Sequence, residues 1–215
     1  MEYAVSIRWI HLILALFMTL QLAVGELMDV PGGEHSEPAA QLVTQAYAHE
    51  GHVSAAQAAD EGLFEVHEIL GLALVAVLLL RWLLAASSAA GANWRILFPW
   101  LNKEGREELL NDVKTEPAMW IKGDLPEPSD HDAIAKTVHG LMLLTATGMV
   151  LTGVALYFGW NEHGSQTELI DMVGEVHESL AGLMWALIGG HVFMALLHQK
   201  MGHRILQKMR PFGSR

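Results

Sequence analysis

Residues 174–198 read GEVHESLAGLMWALIGGHVFMALLH, with the acids confined to the first turns and an unbroken apolar run behind them. The hydrocarbon core of a bilayer is crossed by about 20 mostly apolar residues in a helix, so this stretch is expected to span a membrane. Two histidines, His177 and His191, sit inside it, 14 residues apart. That spacing is close to four helical turns, so both imidazoles share one face, about 21 Å apart along the axis. Ionisable groups inside a span are costly, and they point to function with a nameable partner.

Working outward, three further segments are long and apolar enough to cross: about 5–28, 63–86 and 136–158. The first starts close to Met1, contains His11 and has no small-residue cleavage site after a short apolar core, so it is expected to be a true helix and not a cleaved signal. A composition of 52% hydrophobic residues agrees with a membrane class. The expected fold is all-α, an integral membrane four-helix bundle forming one domain over 1–215. An outer loop covers about 29–62 and a cytoplasmic loop about 87–135. Neither loop 29–62 nor loop 159–173 holds a Lys or Arg, whereas Arg8, the 87–135 region and the tail from Lys200 onward hold most of the basic residues. By the positive-inside rule both termini and the middle loop are expected to be cytoplasmic. The formal charge of −11 says less than this distribution.

The chain has no cysteine, which excludes disulfides, thiolate metal sites, iron–sulfur clusters and covalent haem attachment. A redox centre must then rest on histidine. Of twelve histidines, five lie inside the spans: His11, His67, His139, His177 and His191. Alternating helix direction assigns a depth to each. His67 and His177 fall near the outer side, and His11, His139 and His191 near the inner side. One helix thus offers two ligands, and each has a partner at its own level: His67 for His177, His11 for His191. Opposed imidazoles across a bundle core suit a six-coordinate b-type haem, so two haems stacked along the membrane normal are expected. Gly71, Gly182 and Gly189-Gly190 would let a porphyrin approach a helix backbone, although they could equally serve helix packing. Arg8, one turn before His11, is a candidate partner of a haem propionate or a plain membrane anchor. His139 is left without a partner at its depth and is a candidate for a propionate, a quinone carbonyl or an interhelical hydrogen bond.

These residues resemble the bacterial cytochrome b561 superfamily, which includes the cytochrome b subunits of nickel–iron hydrogenases and formate dehydrogenases. The resemblance is carried by Arg8-Trp9-Ile10-His11, by Val66-His67-Glu68-Ile69-Leu70-Gly71, by Val138-His139-Gly140 with Leu151-Thr152-Gly153, and by Val176-His177-Glu178 with Gly190-His191. It implies His67 and His177 as ligands of an outer haem b and His11 and His191 as ligands of an inner one. It also implies a quinone site beside one haem, with ubiquinone or menaquinone as substrate and His139 as the obvious contact. Its location would be the bacterial inner (plasma) membrane, multi-pass. Its partners would be the quinone, membrane lipid and a periplasmic or membrane-attached redox protein such as a cytochrome c, a hydrogenase or a dehydrogenase subunit. The outer and middle loops are longer than in the short stand-alone members.

Two other functions fit parts of the sequence. The same superfamily contains stand-alone superoxide-oxidising quinone reductases, which need no protein partner. From a different class, a histidine-lined transporter of metal or protons would also use intramembrane imidazoles, but such sites cluster ligands with carboxylates near the midplane. Outside the spans, His35 with His49 and His52 form a weak outer metal candidate. Glu37 to Asp60 reads as one or two short surface helices, and Trp94, Arg95, Phe98 and Trp100 as an interfacial segment. Trp82, Trp120, Trp160 and Tyr157 are expected to anchor span ends, His198 and His203 to be solvated or lipid-facing, and Met184 and Met194 to be core filler or to touch a haem edge.

Overall fold

The computed structural model describes residues 4–28, 55–87, 93–123, 125–126, 132–159 and 167–212, with the side chains of 55–61 excepted. Four helices carry the apolar stretches: α1 Val5–Leu27, α2 Ala55–Ala86, α5 Ala133–Gly159 and α6 Glu168–Lys200. Helices are the only solution for such sequences in lipid, where every backbone polar group must be satisfied within the segment. Between α2 and α5 lie a short helix α3, Trp94–Leu97, a 3-10 turn at Pro99–Leu101 and a polar helix α4, Lys103–Ile121; α7, Ile205–Met209, follows α6.

Helix ends and bilayer-crossing stretches do not coincide. Helix α2 begins at Ala55, while its apolar part covers Gly62–Ala86. Hydropathy marks the crossing, whereas caps and Ala-rich turns decide how far the helix runs past it. Thr167 caps α6 by accepting from the Ile170 amide, seven residues before the start of the apolar run at Gly174. Asp132 caps α5 by accepting from the Ala135 amide at 2.7 Å.

The polar helix α4 has no counterpart in the loop expected over 87–135. Its signal was local: Asn102 accepts from the Gly105 amide at 2.6 Å as an N-cap, and the run KEGREELL behind it is strongly helix-forming. Asp112 of α4 accepts the Ala133 amide at 3.1 Å, and Glu108 lies 4.0 Å from Lys136, so α4 is stitched to the start of α5. Segment 94–101 folds against α5 at Gly140, where a Cβ would collide with the Leu97 carbonyl; only glycine permits that approach. Leu97 and Phe98 are buried there. Trp82 is drawn into the same cluster, stacked on Phe98 at 6.1 Å and donating its indole N–H to the Thr147 hydroxyl at 3.0 Å. It is thus half-buried against the core of the bundle. The core layer, with Met18 and Leu22 of α1, Leu74 and Leu78 of α2, Met149 of α5 and Met184 of α6, fills the middle of the bundle.

The first and last described residues lie at one end of the bundle. After α6 the chain turns through Gly202 and Arg204, both in the left-handed region. It returns across α1, so that Arg8 donates to the Arg210 carbonyl at 3.1 Å and Trp9 meets Phe212 edge to face at 4.6 Å. His198 is buried, not solvated, because this return covers it; its Nδ1 sits 2.9 Å from that of His203. The expected outer metal candidates His35, His49 and His52, the surface helices over Glu37 to Asp60 up to residue 54, and Trp160 lie outside the described residues.

Candidate functional site

The antiparallel run of the four long helices puts the five intramembrane histidines on two levels. At the far level, away from the termini, His67 of α2 and His177 of α6 face each other with ring centroids 6.4 Å apart. At the terminal level, His11 of α1 and His191 of α6 stand 6.1 Å apart. Met184, seven residues from each α6 histidine and 1% exposed, lies in the core layer between the levels.

A metal held between two imidazoles sets a distance test. Two metal–nitrogen bonds of ~2 Å, plus ~1 Å from each nitrogen to its ring centre, separate the centroids by ~6 Å. Both facing pairs meet this spacing. The backbone packing agrees: α1 packs along α2 and α5 along α6, but among the described residues α6 makes no extended close packing with α1 or α2. The histidine pairs therefore face each other across helices that stand apart, α2 and α6 at one level and α1 and α6 at the other, as a flat macrocycle requires. A Cβ added at Gly182, Gly189 or Gly190 would meet no atom, but all three are exposed and lie on the face of α6 turned away from His177 and His191, so they mark the outer surface of the helix and not the space between the paired rings. The residues present fit a b-type haem at each level.

His139 of α5 is not isolated, contrary to the expectation from depth alone. Its ring meets that of His191 edge to face at 5.0 Å, closer than the facing pairs and too close for a metal between the two. The terminal level is thus a cluster of three imidazoles in which His11 and His191 have the metal-bridging distance and His139 touches from the side. Arg81 of α2 lies near enough to act on both His11 and His139 through its charge. The packing of α2 against α1 and α5 brings it here. Arg8 reaches the tail at Arg210 and lies one turn from His11.

The far level has its own polar neighbours. His177 Nδ1 lies 2.8 Å from the Thr152 hydroxyl of α5. A Cβ at Gly153 would sit 3.3 Å from the His177 ring, and one at Gly25 would sit 3.2 Å from His67, so both rings are seated against bare backbone. Gln21 of α1, 7% exposed, donates its amide to the His67 backbone carbonyl at 2.9 Å. Its Oε1 and the Nδ1 of His67 are buried with no hydrogen-bond partner among the described residues. Gly71, expected to admit a porphyrin, instead accommodates this amide: its Cβ would sit 3.2 Å from Gln21 Nε2. Gln21 escaped notice in the sequence, although a lone amide in an apolar run is a signal of the same kind as an intramembrane histidine.

Among the described residues no group of three or more His, Asp or Glu side chains could hold a bare metal ion. The family model of the prokaryotic cytochrome b561 matches residues 2–212. No curated protein and no solved structure matches the chain.

Proposed function

Because the chain belongs to the prokaryotic cytochrome b561 family, membrane b-type cytochromes of electron transfer, we propose that it binds two haems b and passes electrons between a redox partner and the quinone pool. The observation that carries the count of two is the repeated spacing: 6.4 Å for His67 and His177, 6.1 Å for His11 and His191. When bound, each haem iron accepts or gives up one electron at a time.

The chain's own residues do the rest. Imidazoles from α2 and α6 would hold one macrocycle and imidazoles from α1 and α6 the other, so that α6 would supply one ligand at each level. The core layer around Met184 keeps water out of the space between the levels. His139 stands beside His191 and offers a ring N–H or a lone pair to a quinone oxygen. A quinone there would exchange its protons with an imidazole and with the nearer aqueous side, while Arg81 favours negative charge on the reduced ring. Arg8, one turn before His11, is suited to a propionate at the same end. The terminal level is thus the quinone side, cytoplasmic by the distribution of Lys and Arg, and the far level faces the electron-exchanging partner.

Purified protein tests this. It should extract two haems b per chain as pyridine haemochromes, and its dithionite-reduced α-band should be bleached by a soluble quinone analogue. A colourless preparation, or one haem per chain, would contradict the proposal.

A further inference from the structure

We propose that Thr152 is the positioning residue of the far haem level: its hydroxyl accepts the Nδ1–H of His177 and thereby leaves Nε2 with a free lone pair for the axial bond. The inference rests on the proposed haem function, and it goes beyond it by assigning which side chain chooses the ligand's tautomer and basicity.

A neutral imidazole carries its proton on one nitrogen only, and the partner of the other nitrogen decides which. His177 Nδ1 and Thr152 Oγ1 are 2.8 Å apart, a distance that alone permits donation either way. The direction follows from what else the hydroxyl does. Thr152 Oγ1 lies 2.9 Å from the Gly148 carbonyl and 3.1 Å from the Met149 carbonyl of its own helix. Carbonyls only accept, so the single hydroxyl hydrogen goes back to the helix and the oxygen is left to accept from the ring. The opposite arrangement would make one hydrogen bond in place of two, in a medium where an unmade bond is costly.

The same helix contains this relay in a form whose direction is forced. Five residues earlier, Thr147 Oγ1 lies 2.7 Å from the Leu143 carbonyl and receives the Trp82 indole N–H at 3.0 Å. An indole nitrogen can only donate, so there the order is ring N–H to hydroxyl to carbonyl. Thr152 repeats it with an imidazole in place of the indole. The neighbouring Gly153 completes the seat, because a side chain at that position would press on the His177 ring at 3.3 Å.

Donation from the non-coordinating nitrogen makes an imidazole a stronger ligand and favours ferric over ferrous iron. His67, the partner ligand, has no hydroxyl hydrogen-bonded to its ring among the described residues. Thr152 thus acts through one axial ligand of one haem, and its removal is expected to leave the other haem untouched.

The test is a spectroelectrochemical titration of purified wild type, Thr152→Val and Thr152→Ser, each with its haem content. Thr152→Val keeps the shape and removes the acceptor. It should retain two haems per chain and shift the ferric–ferrous equilibrium of one of them roughly tenfold toward ferrous, ~59 mV for a one-electron couple. Thr152→Ser restores the hydroxyl and should titrate like wild type. Two unmoved potentials in a fully loaded Thr152→Val protein would overturn the role of Thr152 and leave the haem proposal standing. An equal shift in Thr152→Ser would overturn it too, since packing and not the hydroxyl would then be the cause. A wild type without haem would sink both.

Discussion

The two histidine levels are built from the same parts yet differ in what surrounds them. At the far level the rings are held by neutral polar groups and bare backbone: Thr152 on His177, Gln21 on the backbone of His67, Gly25 and Gly153 against the rings. At the terminal level the neighbours are a third imidazole and a guanidinium, His139 and Arg81. Neutral, rigid neighbours suit a site that only exchanges electrons. Charged and titratable neighbours suit one where electrons meet protons, because a developing anion needs a positive charge and a proton donor beside it. Under the proposed function, two similar histidine pairs would divide their labour through the residues that surround them.

The sharpest way to break the comparison is to delete ligands level by level. His67→Ala or His177→Ala should lower the haem content from two to one per chain, and His11→Ala or His191→Ala should remove the other haem, distinguished by its midpoint potential. Loss of both haems from any single variant would mean that the levels are not independent. Next in size is His139→Leu. It should leave two haems per chain while quinone-linked turnover falls roughly tenfold or more, the value of a charge-assisted or proton-donating hydrogen bond. Turnover at the wild-type rate would remove the distinction drawn for the terminal level.

A smaller effect separates scaffold from site. Gly140→Ala forces a Cβ into the Leu97 carbonyl and should destabilise the packed 94–101 segment by about 1–3 kcal/mol, read as a lowered Tm. Gly182→Ala, where a Cβ meets nothing, should not change the stability of the haem-free chain, so it serves as the matched control.

The smallest effect is electrostatic and lies outside the bilayer. Burial, and then Asp132 and Asp112, raise Glu116 from the usual 4.5 to about 6. An acid whose folded pKa is raised favours the fold while protonated. That advantage is fully present below about 4.5, is lost as pH climbs to about 6, and stays lost above. Glu116→Gln should therefore give a small upward Tm shift at pH 7.5 that vanishes at pH 4.5. A shift of equal size at both pH values would assign it to packing.

Much of this was legible in the chain itself, for physical reasons that also mark where legibility ended. Hydropathy over about 20 residues located the four crossings, and the 14-residue interval between His177 and His191 put both rings on one face. Depth along antiparallel helices then suggested partners that the fold does bring face to face. Depth cannot say how far apart two helices stand. That is why His139 looked partnerless although its ring touches His191. His198 was misjudged for a related reason, since what covers it is the C-terminal return, which depth does not describe. Helix α4 was missed because attention to apolar runs passes over a polar helix whose evidence is a cap.

The most direct measurement is low-temperature electron paramagnetic resonance of the air-oxidised, purified protein, integrated against its concentration. Two low-spin ferric signals of the bis-imidazole kind, summing to two spins per chain, are predicted. A single low-spin species, or a high-spin signal from an iron with one imidazole, would contradict the pairing of histidines at both levels.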